Sequence, residues 1–85
     1  MKAFMYTVKN PNGLHSRHAG LLVKEAGKYQ SDITVIKGES MASAKHILRL
    51  MNLGVKQGDV ITFVIEGTDE EEAALILKKL VQECF

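Results

Sequence analysis

The spacing of apolar residues alternates between strand-like and helix-like several times along the chain, and few folds are compatible with this pattern. Four segments have the alternating or β-rich character of short strands: residues 3–8, 32–37, 40–43 and 60–66. Three others favour helices: the amphipathic segment 16–29, the short apolar run 46–53, and a final amphipathic segment that starts at Thr68. The predicted element order is therefore β-α-β-β-α-β-α.

This order predicts an α+β fold in a single domain, because 85 residues have room for one modest core. Two strands joined through a helix cannot form a hairpin, and in a small sheet of this order another strand usually fills the slot between them. We therefore expect a four-stranded, mostly antiparallel sheet with helices on one face and the other face open to water. Met5, Ile36 and Val64 are candidates for the open face.

Several element boundaries carry their own signals. Ser16 is predicted to be the N-cap of the first helix, because its hydroxyl can accept a hydrogen bond from a first-turn amide. Gly54 is predicted to follow the short helix with a positive φ. Thr68 and Glu71 have the spacing of a capping box, which predicts that the last helix opens at Thr68.

The composition narrows the classes of function. The hydrophobic fraction of 46% is ordinary for a globular domain, and the formal net charge of +1 comes without a clustered run of Lys and Arg. A nucleic-acid-binding surface needs such a cluster, so we expect no nucleic-acid partner. The single cysteine, Cys84, excludes a disulfide within the monomer and a zinc site built on several cysteines. Neither a signal peptide nor a membrane span is visible, so we expect a cytoplasmic protein without membrane insertion.

The run Asn12-Gly13-Leu14-His15-Ser16-Arg17-His18-Ala19 places a histidine just before a predicted helix. The first-turn amides of a helix lack backbone acceptors and the dipole is positive there, which suits an anion. Arg17 adds a permanent cation, and His15 offers a neutral nucleophilic nitrogen near neutral pH. These residues predict a site that accepts and holds a phosphoryl group. The competing interpretation is an ordinary loop histidine beside an ordinary helix terminus.

The run Gly13-Leu14-His15-Ser16-Arg17 resembles the active-site signature of HPr, the histidine-containing carrier of the bacterial phosphoenolpyruvate-sugar phosphotransferase system. The resemblance covers essentially the whole chain, with further matching segments at residues 31–35, 42–45, 53–55 and 66–70. It implies an HPr-like open-faced β-sandwich over residues 1–85. It also implies a phosphoryl carrier without a cofactor, in which the donor enzyme supplies most of the catalysis.

In that family the histidine takes a phosphate on Nδ1 from enzyme I and passes it to the A domains of sugar-specific enzymes II. The resemblance assigns this role to His15, with Arg17 in contact with the phosphate and the amides of Arg17 and His18 as donors. It also places Ser16 and Asn12 beside the phosphate. For Asn12, a role as a turn residue that caps Gly13 is an equal alternative.

Two histidines depart from the family pattern. HPr proteins usually carry proline at the position of His18, which is here either a modulator of phosphate transfer or an exposed helix residue. His46 stands where HPr proteins of low-GC Gram-positive bacteria carry the serine phosphorylated by HPr kinase, so we expect that control to be absent. Imidazoles also bind metals, but no carboxylate or cysteine with ligand spacing accompanies His15, His18 and His46, and we expect no metal site.

An apolar docking surface is predicted beside the site. Matching positions imply that the short helix buries Leu50 and Leu53 and leaves its other large side chains outside; the alternative is that the helix sinks deeper. Lys45 and Arg49 are expected to frame the surface and to suit an acidic partner. The resemblance implies that enzyme I and enzyme IIA bind at Gly20, Leu21, Lys24, Ile47, Leu48 and Met51.

Three functions fit these observations. The first is phosphoryl relay through His15 between proteins of the sugar phosphotransferase system. The second is a regulatory HPr-like paralogue that binds a transcription factor or a metabolic enzyme and lacks serine control at position 46. The third is a ligand-binding domain without phosphate chemistry, which leaves the run from Gly13 to Arg17 unexplained.

Overall fold

The computed structural model describes all residues from Met1 to Phe85. Seven elements follow one another in the predicted order: β1 Lys2–Thr7, α1 Ser16–Ala26, β2 Asp32–Lys37, β3 Ser40–Ser43, α2 Ile47–Met51, β4 Val60–Glu66 and α3 Glu70–Cys84. None of these helices has the length and apolar character that crossing a membrane requires.

The four strands form one sheet in the order β1-β4-β2-β3, in which every neighbouring pair is antiparallel. Strand β4 fills the slot between β1 and β2, the two strands that α1 connects, as predicted. In its middle, Phe63 lies opposite Phe4 of β1 and Val35 of β2. The rings of Phe4 and Phe63 stack with centroids 4.8 Å apart. The predicted α+β architecture is confirmed, with a central strand that is paired along both edges.

The core lies between the sheet and the helices. Strand β4 contributes Ile61, Phe63 and Ile65, which are fully buried because alternate residues of a strand point to the same face. The fully buried helix residues are Ala19, Leu22, Ala26, Leu50, Ala73, Leu77 and Val81. Both ends of the loop between β1 and α1 are therefore attached to elements that the core holds in place.

The opposite face of the sheet is open. Met5, Thr62, Ile36 and Met41 follow one another across the four strands. Met5 and Met41, on the two edge strands, are 69% and 66% exposed. Met5, Ile36 and Val64 lie on this face, as predicted.

The first helix begins and ends differently from the prediction. His15, not Ser16, is the N-cap: its backbone is extended, and its Nδ1 accepts a hydrogen bond from the Arg17 amide. The prediction rested on side-chain type, because serine is a common N-cap residue, but here the imidazole of the preceding residue caps the helix. The helix ends at Ala26 rather than at residue 29, because the chain tightens there into i→i−3 hydrogen bonds, such as that from the Tyr29 amide to the Ala26 carbonyl.

The second helix is likewise shorter than the predicted range 46–53. The amides of Leu53 and Gly54 donate to the carbonyls of Leu50 and Met51, three residues back, so the α-helical pattern stops at Met51. Gly54 has the predicted positive φ, 67°.

The last helix begins at Glu70, and the capping box predicted for Thr68 and Glu71 does not form. The Gly67 amide donates instead to the Glu70 carboxylate over 3.1 Å. This bond lies one residue earlier than the predicted bond from the Thr68 amide to the Glu71 carboxylate.

Asp69 is the N-cap of α3, but its carboxylate binds the loop before β2 rather than its own helix. It accepts hydrogen bonds from the hydroxyl and amide of Ser31 and from the amide of Gln30. The Ser31 hydroxyl, followed by the Gln30 amide, holds the pKa of Asp69 below its usual value. This long-range contact explains why local cap signals misplaced the start of the helix.

Candidate functional site

The loop between β1 and α1 is held against the segment that precedes β4. The Leu14 amide donates to the Val55 carbonyl over 3.1 Å, and the Leu14 side chain is buried. Gly13 has a φ of 62°, and a Cβ there would overlap the Val55 carbonyl oxygen and crowd the Lys56 Cα. Glycine meets both requirements because it has no Cβ. The approach to His15 is therefore fixed by backbone contacts.

His15 lies at the positive end of α1. Its Nδ1 is 3.3 Å from the Arg17 amide nitrogen, which donates to it. The first turn of α1 contains no acidic residue, so no carboxylate neutralises the helix dipole there. Nδ1 therefore faces an electropositive position next to a helix N-terminus, where an anion is favoured.

His18 contacts the other nitrogen of His15. Its Nδ1 lies 2.8 Å from Nε2 of His15, and the two rings meet edge to face with centroids 4.6 Å apart. Burial lowers the pKa of His18, and the charge of His15 lowers it further; a hydrogen bond to the Cys84 main chain opposes them, and Arg17 adds a smaller lowering. Burial therefore favours the neutral form of His18, which has an unprotonated nitrogen that can accept a hydrogen bond from His15.

Asn10 joins this pair. Its amide nitrogen donates to the Gly13 carbonyl over 2.7 Å and lies 3.2 Å from Nδ1 of His18. Sequence reasoning selected Asn12 instead, which is exposed. The two asparagines share one turn and the same chemistry, so the sequence offered no signal to choose between them.

Phe85 supports the site from the far end of α3. Its ring packs edge to face against His18, with centroids 5.2 Å apart, and its main-chain oxygen accepts hydrogen bonds from the amides of Lys9 and Asn10. Sequence reasoning missed this residue because an apolar side chain remote in sequence carries no motif.

The remaining predicted site residues are exposed at the surface. Ser16 and Arg17 occupy the first turn of α1, and Arg17 forms no salt bridge. Its guanidinium can therefore turn toward an anion at Nδ1 of His15 without breaking an ion pair. His46, the N-cap of α2, is exposed and makes no side-chain capping bond.

The site is an open surface rather than a cleft. The depressions of the molecule lie between β1 and α3, at the start of α3, and beside α2. No three His, Cys, Asp or Glu side chains come together as metal ligands. A group bound at His15 is accordingly within reach of another protein.

A partly apolar surface lies along α1 and α2, and we call it the α1–α2 surface. Its members are the predicted partner-binding residues Gly20, Leu21, Lys24, Ile47, Leu48 and Met51. Leu48 is 71% exposed and Leu50 is fully buried, as predicted. Leu53, which was also predicted to be buried in this helix, follows α2 and is only partly buried. A Cβ added to Gly20 would lie 3.9 Å from Cδ1 of Ile47, which shows that the two helices adjoin.

Only one of the two cations expected to frame this surface stands free. The Lys45 ammonium donates to the Tyr29 carbonyl over 2.7 Å and is bound to the end of α1. Arg49 is exposed on α2 and forms no salt bridge. Both cations line the depression beside α2 together with Ile47 and Leu48, as expected, and only Lys45 is held by a bond within the molecule.

Known proteins resemble the chain over nearly its whole length. Residues 2–83 match the family described as "PTS HPr component phosphorylation site". The chain is 39% identical over 84 residues to the phosphocarrier protein HPr of Mycoplasma pneumoniae, and the alignment covers 98% of this chain and 96% of that protein.

Solved structures agree with this likeness. HPr-C-His from Thermoanaerobacter tengcongensis has a TM-score of 0.92 and 44% sequence identity, covering 96% of this chain and 92% of that one. The Bacillus subtilis catabolite repression containing protein Crh, described as a dimer with a swapping domain, has a TM-score of 0.78 and 38% identity, covering 92% of this chain and 90% of that one.

Proposed function

The chain belongs to the HPr family, the phosphocarrier proteins of the phosphotransferase system, and we propose that His15 is the residue on which it carries the phosphoryl group. The observation that carries this proposal is the position of Nδ1, 3.3 Å from the Arg17 amide at a helix N-terminus that lacks an acidic residue. A nitrogen lone pair and the donors for a phosphate meet at this point.

The transfer needs no group beyond those present. The Nδ1 lone pair attacks phosphorus, the bond between phosphorus and the donor breaks, and its electron pair leaves with the donor. The Arg17 amide, freed from Nδ1, then donates to a phosphate oxygen, and the Arg17 guanidinium supplies charge-assisted hydrogen bonds. The Ser16 hydroxyl, on the residue next to His15, is a further donor for a phosphate oxygen.

The proposed partners are enzyme I as donor and enzyme IIA domains as acceptors, both in the cytoplasm. The α1–α2 surface supports this proposal, because exposed apolar side chains such as Leu48 beside the site are typical of a protein interface. Lys24 and Arg49 add positive charge that suits an acidic partner.

The test is incubation with phosphoenolpyruvate and enzyme I, followed by intact-mass spectrometry. We expect one acid-labile, base-stable phosphate, which His15→Ala abolishes. His46→Ala is the matched control, since it removes an exposed histidine away from the site, and it is expected to retain the phosphate. Absence of uptake, or uptake that survives His15→Ala, overturns the proposal.

The likeness to Crh, which is named for catabolite repression, supports a second candidate: a regulatory paralogue that binds a transcription factor or metabolic enzyme. This role predicts binding to such a partner that does not depend on phosphate at His15. Equal affinity of wild type and His15→Ala for the partner, together with no phosphate uptake, would favour it over relay.

A further inference from the structure

The hydrogen-bond partners of Asn10 determine which nitrogen of His15 carries the proton. The Gly13 carbonyl can only accept, so the Asn10 atom 2.7 Å from it is the amide nitrogen, a donor. The same nitrogen lies 3.2 Å from Nδ1 of His18, which must therefore be an acceptor. Nδ1 of His18 also faces Nε2 of His15 at 2.8 Å, so that Nε2 must carry a hydrogen.

The other end of the chain of hydrogen bonds determines the state of Nδ1. A main-chain amide can only donate, and the Arg17 amide points at Nδ1 of His15 over 3.3 Å. Nδ1 is therefore unprotonated. Together the two ends require a neutral His15 with its hydrogen on Nε2 and its lone pair on Nδ1.

His18 can impose this arrangement because its own ring is held in place. Phe85 packs against it edge to face, and the Phe85 main-chain oxygen is itself bound by the amides of Lys9 and Asn10. The titratable groups that act on His18 are His15 and Arg17, which lie next to it at the start of α1. From α3, the Cys84 main chain forms a hydrogen bond with it.

We propose that His18 is a positioning residue that holds neutral His15 in the Nε2–H tautomer and so directs the Nδ1 lone pair to the phosphate position. The proposal rests on the proposed function of His15 and adds a role that a proline at position 18 cannot fill. As the bond from Nδ1 to phosphorus forms, positive charge develops on the ring. The hydrogen bond from Nε2 to His18 then becomes charge-assisted, which strengthens it.

The test compares His18→Leu with His18→Asn. Leucine removes the acceptor, whereas the Asn Oδ1 atom stands close to the position of the imidazole Nδ1 and restores it. With ¹⁵N-labelled histidine, long-range ¹H–¹⁵N spectra at alkaline pH report which nitrogen is protonated, without any phosphate donor. We expect the pure Nε2–H form in wild type and His18→Asn, and a mixture of tautomers in His18→Leu.

The rate of phosphoryl uptake from enzyme I gives a second readout. Loss of one net hydrogen bond predicts a decrease of about two- to tenfold in His18→Leu, with recovery in His18→Asn. Backbone ¹H–¹⁵N spectra verify that both variants are folded.

The outcomes separate the two proposals. An Nδ1–H form in wild type, or an unchanged tautomer in folded His18→Leu, overturns the role of His18 whatever the rates are. A pure Nε2–H tautomer in wild type that becomes mixed in His18→Leu, without any phosphate uptake in wild type, supports the role of His18 in positioning His15 and refutes phosphate transfer.

Discussion

Gly13 and Gly38 form a pair of substitution sites that separates backbone conformation from steric overlap. Their φ angles are nearly equal, 62° and 59°. A Cβ at Gly13 would overlap the Val55 carbonyl oxygen, whereas a Cβ at Gly38 would meet nothing within 4 Å. Alanine in this region of φ costs about 1–2 kcal/mol at either position. Overpacking adds about 1–3 kcal/mol at Gly13 alone.

We therefore expect Gly13→Ala to lower the free energy of unfolding by about 2–5 kcal/mol and Gly38→Ala by about 1–2 kcal/mol. The effect of alanine on the unfolded chain is similar at both positions and cancels in the comparison. Urea unfolding followed by circular dichroism measures both values, and thermal midpoints provide a check, at about 4–8 °C per kcal/mol for a domain of this size.

The steric reasoning is refuted if Gly13→Ala costs no more than Gly38→Ala. The same variants also test the position of His15. Gly13→Ala is expected to slow phosphoryl uptake, because the loop must move away from Val55, while Gly38→Ala leaves it unchanged.

Three further predictions concern other contacts. Asp69→Asn is expected to lower stability near neutral pH, because the pKa of Asp69 is held low by Ser31. In urea titrations, the difference from wild type should shrink as the pH falls past the ordinary pKa of an aspartate and vanish once the pH has fallen through the lowered folded pKa. Leu48→Glu should lower kcat/KM for phosphoryl acceptance from enzyme I about tenfold, and Leu75→Glu, on α3 and 63% exposed, should not; equal kinetics of the two variants would contradict docking on the α1–α2 surface. Asn10→Asp removes the donor to His18, so histidine ¹⁵N spectra should show mixed tautomers of His15. Retention of the pure Nε2–H tautomer would show that Asn10 does not help to orient His15.

The strands were predictable from the sequence because their signal is local and repeated. Ile61, Phe63 and Ile65 alternate with less buried residues in β4, and burial of one face follows directly from that alternation. The slot that β4 fills was predictable for a topological reason, since a helix separates β1 from β2. The position of His15 at a helix terminus followed from the same level of reasoning.

The details that the sequence did not reveal depend on contacts between distant residues. Nothing near Asp69 in sequence indicates that Ser31 will take its carboxylate. The choice of Asn10 over Asn12 depends on the path of the loop, which is set by the approach of Gly13 to Val55. Sequence patterns report which groups are available, whereas the fold decides which of them meet.

The bonds from Lys9 and Asn10 to the main-chain oxygen of Phe85 have a consequence for folding. They join the loop after β1 to the residue that follows α3. Phe85 can therefore pack against His18 only after two parts of the chain that are far apart in sequence have docked. Such non-local contacts form at a high entropic cost and are favoured late in folding. An incompletely folded chain would hold His15 without its oriented lone pair. Only the fully folded chain would then accept a phosphoryl group efficiently. Incompletely folded chains would be poor substrates for the donor enzyme.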